Sequence, residues 1–183
     1  MKHLADLLLL GDPRLYETCA PVLESELPLV PGWVADLHSV MQEIRAIYQF
    51  GRGIAAPQLG IMKRLIYLNI DKPVIIINPE FMTFSDETDE LWDDCMSFPN
   101  LLVRVRRHRR LTMTFRDEHW QPHTWDVTDW SLSELLQHEY DHLNGVLCTM
   151  RAVDGQSDSP WSGIPGRFRW RPTPVAGQLT YIG

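Results

Sequence analysis

The sequence offers no disulfide framework. Its three cysteines, Cys19, Cys95 and Cys148, are an odd number without paired spacing, which suits a reducing compartment better than a stapled secreted fold. Long apolar runs are missing as well. The stretch at residues 7–10 is bounded by Asp6 and Asp12, far short of the roughly 20 residues of a spanning helix. No small-residue cleavage site follows it, so neither an export signal nor a membrane partner is expected. An excess of positive charge is lacking too. The net charge of −7 argues against a surface devoted to nucleic acid or anionic lipid and leaves room only for a local basic patch. The expectation is a soluble, cytoplasmic protein with no specific nucleic-acid partner, and 183 residues suit one domain around one core.

What is present falls into a clear order. Residues 11–31 carry Gly11, Pro13, Pro21, Pro28 and Pro31, a density of breakers that predicts an irregular arm. From Gly32 to about Phe50, Val34, Leu37, Val40, Met41, Ile44 and Ile47 recur at helical spacing, so an amphipathic helix is expected there. Gly51-Arg52-Gly53-Ile54-Ala55-Ala56-Pro57-Gln58 follows, a run of small residues that lets backbone approach a ligand closely, or equally a plain loop from helix to strand. Residues 64–70 and 74–77 read as buried strands, with 81–84 able to extend the sheet. An acidic patch at 86–90 precedes Trp92-Asp93-Asp94-Cys95-Met96-Ser97-Phe98-Pro99. Arg104, Arg106, Arg107, Arg109 and Arg110 then sit in a strand-like stretch. They read either as a ribosome- or nucleic-acid-facing patch or, preferably, as guanidinium groups pairing with Glu87, Glu90, Asp93 or Asp94. Residues 111–115 and 123–128 make a hairpin. Residues 1–154 form the expected single catalytic domain; residues 155–183, rich in Ser, Pro, Gly, Trp and Arg, are expected to be a non-helical, extended or poorly ordered tail.

The chemistry centres on Gln137-His138-Glu139-Tyr140-Asp141-His142-Leu143-Asn144-Gly145, which contains HExxH. A helix brings residues four apart onto one face, so His138 and His142 can reach one cation while Glu139 leans toward what that cation holds. Ser131 with Glu134 reads as a capping box, starting this helix near Leu132 and ending it at Gly145. Asp141 lies on the opposite side, suited to a structural pairing with Arg107, and Tyr140 reads as packing. A metal-assisted hydrolase needs a third protein ligand. Cys148 completes HExxHxxGxxC, a protease-like spacing. Cys95 lies beside two carboxylates that would make its thiol a poor nucleophile, whereas a metal would deprotonate it, and a folded-back sheet could carry it to the helix.

Three motifs in order decide between the two. The chain resembles the peptide deformylase family, known by GxGxAAxQ, EGCLS and QHExDHLxG. The first stands complete from Gly51 to Gln58, the second in part as Asp93-Asp94-Cys95-Met96-Ser97, and the third complete from Gln137 to Gly145. The resemblance spans roughly residues 7–152. It implies an α+β fold with mixed, mostly antiparallel β-sheets around a central HExxH helix, plus an N-terminal helix. It further implies one divalent metal ion, Fe²⁺ replaceable by Zn²⁺, Ni²⁺ or Co²⁺, held by Cys95, His138 and His142. Glu139 is the implied general base, and the Gln58 amide and the Met96 backbone N–H are the implied oxyanion donors. The implied substrate is an N-formyl-methionyl peptide bound along Arg52, Gly53 and Asp94, with transient contact to the ribosome.

The departures from the family pattern are local. Asp93 replaces Glu, Met96 replaces Leu, and Asp94 replaces a Gly whose carbonyl the family turns toward substrate. Arg52 stands where the family often has an aliphatic residue near the methionine pocket, and the family's usual C-terminal helix is missing. An alternative expectation is therefore a deformylase-like protein with altered N-acyl-peptide specificity or lost turnover.

Overall fold

The computed structural model describes residues 1–153, 167–171 and 173. Two helices, α1 (Val30–Tyr48) and α2 (Trp130–Leu143), are joined by strands β1 (Gly53–Ala55), β2 (Leu65–Asn69), β3 (Pro73–Phe84), β4 (Thr88–Asp94), β5 (Leu101–His108), β6 (Leu111–Arg116) and β7 (Pro122–Val127), with β8 (Phe168–Trp170) near the carboxyl end. The strands form a five-stranded sheet in the order β1-β2-β3-β6-β7 and a three-stranded sheet in the order β4-β5-β8. Every ladder between these strands is antiparallel among the described residues. The fold is α+β.

The apolar run of β2 shows how the layers arise. Leu65 and Tyr67 point to one face, where they meet Leu37, Val40, Met41 and Ile44 of α1. Ile66 and Leu68 point to the other, against Leu135, Leu136 and Leu143 of α2. A strand covered on both faces loses the apolar-polar alternation of a half-exposed one. The third layer, around β4 and β5, closes over α2 with its own cluster of Val103, Val105, Leu147 and Cys148.

Several local expectations are revised. The two strand segments at 74–77 and 81–84 are one strand, β3, which absorbs register shifts between Ile77 and Glu80 and again between Phe81 and Thr83. The acidic stretch belongs largely to β4. Its carboxylates are tolerated there because β5 and the residue just past it supply arginines: Glu90 lies 2.6 Å from Arg104 and 2.8 Å from Arg106, and Asp89 lies 2.6 Å from Arg109, which follows β5. Of the arginine stretch, Arg104, Arg106 and Arg107 belong to β5, while Arg109 and Arg110 lie in the connection to β6. The α2 helix begins at Trp130 with Asp129 as its cap, the carboxylate accepting from the Leu132 N–H at 2.8 Å. Ser131 and Glu134 are thereby free for another partner. Of the tail, residues 167–171 and 173 are described, and β8 pairs with β5 through Leu101↔Trp170 and Val103↔Phe168; the remainder of the tail expectation lies outside the described residues.

One polar stripe locks α2 to β5. Ser133, Gln137 and Asp141 recur at four-residue spacing and are all buried. Gln137 accepts from the His108 N–H at 3.0 Å and donates to the His108 carbonyl at 2.8 Å, while Asp141 takes Arg107 at 2.5 Å. No helix among the described residues is long and apolar enough to cross a membrane.

Candidate active site

The helical repeat sets His138 and His142 side by side, with Nε2 atoms 3.2 Å apart. Cys95 arrives from the end of β4, where a turn closed by the Phe98 N–H to the Cys95 carbonyl at 3.1 Å aims its Sγ to within 3.4 Å of His142 Nε2. All three side chains are buried, and their donor atoms lie within 4.8 Å of one another. Bonds of about 2.0 Å to nitrogen and 2.3 Å to sulfur in a tetrahedral shell put donor atoms roughly 3.3–3.6 Å apart, so this spacing fits a divalent cation. The donor set of one thiolate and two imidazoles suits iron, zinc, nickel or cobalt better than magnesium or calcium.

Cys148 is buried nearby and groups with Asp93 and His138. That group lies behind the first. Asp93 Oδ1 sits 2.8 Å from His138 Nδ1, which turns the opposite nitrogen toward Cys95 and His142. Its other oxygen, Oδ2, takes Arg107 at 3.0 Å. Burial works to raise the Asp93 carboxyl, but His138 and Arg107 outweigh it and hold it down at about 2. Burial and the neighbouring His138 push His142 well below the usual histidine range, which keeps its ring neutral as a ligand needs to be. Burial raises the Cys95 thiol, and that of Cys148 also.

Glu139 is 3% exposed, and its Oε2 has no hydrogen-bond partner among the described residues. Burial, the leading cause, pushes its carboxyl up to about 7. The backbone of Gly53 passes so close that a Cβ there would meet Glu139 Oε1 at 2.9 Å and Leu68 at 2.9 Å. Gly51 is held at φ +122°, and a Cβ on it would meet the Met96 methyl at 2.8 Å; only glycine suits both demands. Gln58, anchored by accepting from the Ala55 N–H at 3.0 Å, directs its amide nitrogen toward Cys95 Sγ at 3.6 Å and Ser97 Oγ at 3.2 Å.

A cavity of about 310 Å³ opens beside Glu139, and Arg52, Gly53, Gln58, Asp94, Met96 and His138 are among its walls. The structure thus gathers all the site residues named from the sequence. It adds three that the sequence reading did not place there. Glu134 takes Arg52 Nη2 at 2.5 Å, while Ser131 Oγ and the Ser131 carbonyl take Nη1 at 2.5 and 3.0 Å. The third is Arg171, 2.6 Å from Asp94. Glu134 carried a signal, because it stands one turn before His138 on the face that His142 shares. Arg171 carried none.

The polypeptide deformylase family model matches residues 4–158. The chain belongs to this family. A peptide deformylase from Thermotoga petrophila is 32% identical over 139 residues, covering 75% of this chain and 80% of that protein. Among solved structures, a peptide deformylase from Synechococcus elongatus in complex with actinonin is 29% identical with a TM-score of 0.74, covering 81% of this chain and 78% of that one. A class I type b peptide deformylase from Acinetobacter baumannii with Met-Ala-Ser bound is 27% identical with a TM-score of 0.72, covering 79% of this chain and 96% of that one. These relatives bear out the α+β fold and identify the chain as an enzyme of the deformylase class, a hydrolase whose family implies a catalytic metal. The arginine stretch of β5 and the connection after it is a set of ion pairs, since Arg104, Arg106, Arg107, Arg109 and Arg110 all meet carboxylates.

Proposed function

We propose that this deformylase removes the formyl group from N-formyl-methionyl peptides, releasing formate and a peptide with a free amino-terminal methionine. Cys95, His138 and His142 would hold one divalent cation, Fe²⁺ with Zn²⁺, Ni²⁺ or Co²⁺ as substitutes. When bound, such a cation supplies Lewis acidity toward the formyl carbonyl and an attacking water. Glu139 takes the proton of the attacking water and returns it to the leaving amine. A carboxyl held near neutrality by burial suits both transfers, and a buried Oε2 without a hydrogen-bond partner among the described residues, on a side chain that lines the cavity, is the observation that carries this proposal. The Gln58 amide and the Met96 backbone N–H donate to the developing oxyanion. The backbone at Gly51, Arg52 and Gly53 pairs with the peptide as an added strand, with Asp94 on the facing wall. Residues 1–154 make up the catalytic unit. The presence of Met-Ala-Ser in the Acinetobacter baumannii relative supports a peptide substrate. A cytoplasmic place of action and a transient meeting with the ribosome belong to the same proposal.

A second reading is favoured by one observation. Arg52, next to the expected methionine pocket, forms an ion pair with the largely buried Glu134 on the cavity wall. A thioether set against an ion pair gains less than one set against apolar carbon, so the preferred acyl peptide would differ from formyl-methionyl. The test is formate and acetate release from a small panel of formyl and acetyl tripeptides, using protein loaded anaerobically with Fe²⁺ or with Ni²⁺. Formate from formyl-Met-Ala-Ser well above a Glu139→Ala control is the expected result. No formate above that control rejects the first reading, and preferential cleavage of another acyl peptide establishes the second.

A further inference from the structure

Arg171 lies well past the catalytic motifs, yet it reaches the cavity wall. Its Nη1 donates to Asp94 at 2.6 Å, and its Nε and Nη2 donate to the Pro99 carbonyl at 3.2 and 2.9 Å. The guanidinium also lies over the Phe50 ring, 4.1 Å from its centroid. Phe50 and Asp94 both line the cavity beside Glu139. The Arg171 backbone is fixed as well, its N–H donating to the Asn100 carbonyl at 2.8 Å and its carbonyl accepting from the Asn100 side chain at 2.9 Å. One side chain therefore ties the segment before β1 to the end of β4 and neutralises Asp94.

We propose that Arg171 is a specificity-determining positioning residue: by pairing with Asp94 it makes the wall facing the second residue of the bound peptide electrically neutral. Asp94 and Gly53 line the same cavity as Glu139, so a peptide paired along Gly53 with its first residue at Glu139 would carry its next residue, about 3.3 Å further on, past this wall. An unpaired carboxylate there would attract a cationic side chain and repel an anionic one. With Arg171 in place the enzyme accepts either, as an enzyme acting on many different chain starts requires. This inference rests on the deformylase reading only in placing a peptide along the wall.

The test is calorimetric binding of Met-Ala-Ser, Met-Lys-Ser and Met-Glu-Ser to the full-length metal-loaded protein. The wild type should bind the lysine and glutamate peptides within about twofold of each other. Arg171→Met should shift the ratio toward lysine by roughly five- to tenfold at low ionic strength, and the shift should shrink in high salt. Asp94→Asn, which leaves Arg171 uncompensated, should shift it toward glutamate. The double variant should return to the wild-type ratio, whereas a purely structural role would weaken all three peptides alike. Unchanged ratios in both single variants, a double variant that keeps either bias, or a wild type that binds none of the peptides at millimolar concentration overturns the proposal. Formate release from the formylated peptides is read in parallel. The expected ratio shifts without formate reject the deformylase reading alone, and formate with unchanged ratios rejects this inference alone.

Discussion

Arg107 joins the motif helix to the wall that faces it: its Nη1 lies 2.5 Å from Asp141 of α2, and its Nη2 lies 3.0 Å from Asp93 of β4. Asp93 continues to His138 at 2.8 Å, and Asp141 also takes Arg151 at 2.5 Å. A single buried guanidinium thus fixes the carboxylate that orients His138. Arg107→Met leaves two buried carboxylates short of a partner and should cost about 3–5 kcal/mol, read as a lower urea midpoint. Arg107→Lys should recover little, because one ammonium cannot reproduce the two-sided fork. An unchanged midpoint in both variants would show that the network contributes nothing to stability.

Asp93 sets a pH window. Its carboxyl is held at about 2 when folded, against an ordinary 3.8. A folded value below the unfolded one means that stability from this group is fully present above about pH 4 and is lost as pH falls toward 2. In acid titrations at fixed urea, the wild type should lose stability across that interval, and Asp93→Asn should show a shallower loss. Parallel curves would remove Asp93 from the acid response.

Arg52 and Glu134 set the second specificity prediction. Glu134 is 7% exposed, so removing Arg52 alone strands a carboxylate and should lower activity. The paired replacement, Arg52→Leu with Glu134→Leu, restores an apolar wall and should raise kcat/KM for formyl-Met-Ala-Ser by about tenfold over either single variant, within the range one added apolar contact can supply. A double variant no better than the singles would mean that the pair lies outside the side-chain pocket.

Metal content separates the two cysteines. Cys95→Ser should lose bound metal, while Cys148→Ser, altered behind the cluster, should retain about one equivalent per chain. Loss confined to Cys148→Ser would overturn the ligand assignment.

How much could be read from the sequence depended on whether a local rule sufficed. The HExxH spacing needed only the helical repeat, and β2 needed only an unbroken apolar run. The pairing of Asp141 with Arg107 followed from the helix face left over once the histidines were placed. In contrast, β4 was obscured because its carboxylates are compensated by β5, an effect no local window contains. Glu134 reads as part of a helix cap only from its spacing to Ser131, whereas Asp129 takes that role and leaves Glu134 to Arg52. Arg171 depends on a strand pairing between distant parts of the chain, and neither its spacing nor its neighbours announce the contact with Asp94.

The central claim is metal-assisted deformylation with Glu139 as the base. Its most direct measurement is formate release from formyl-Met-Ala-Ser by fully metal-loaded wild type and by Glu139→Ala at matched metal content. Formate from the wild type, with a loss of at least about a hundredfold in the variant, is the expected result. Equal release by both proteins, or none by the wild type, would contradict it.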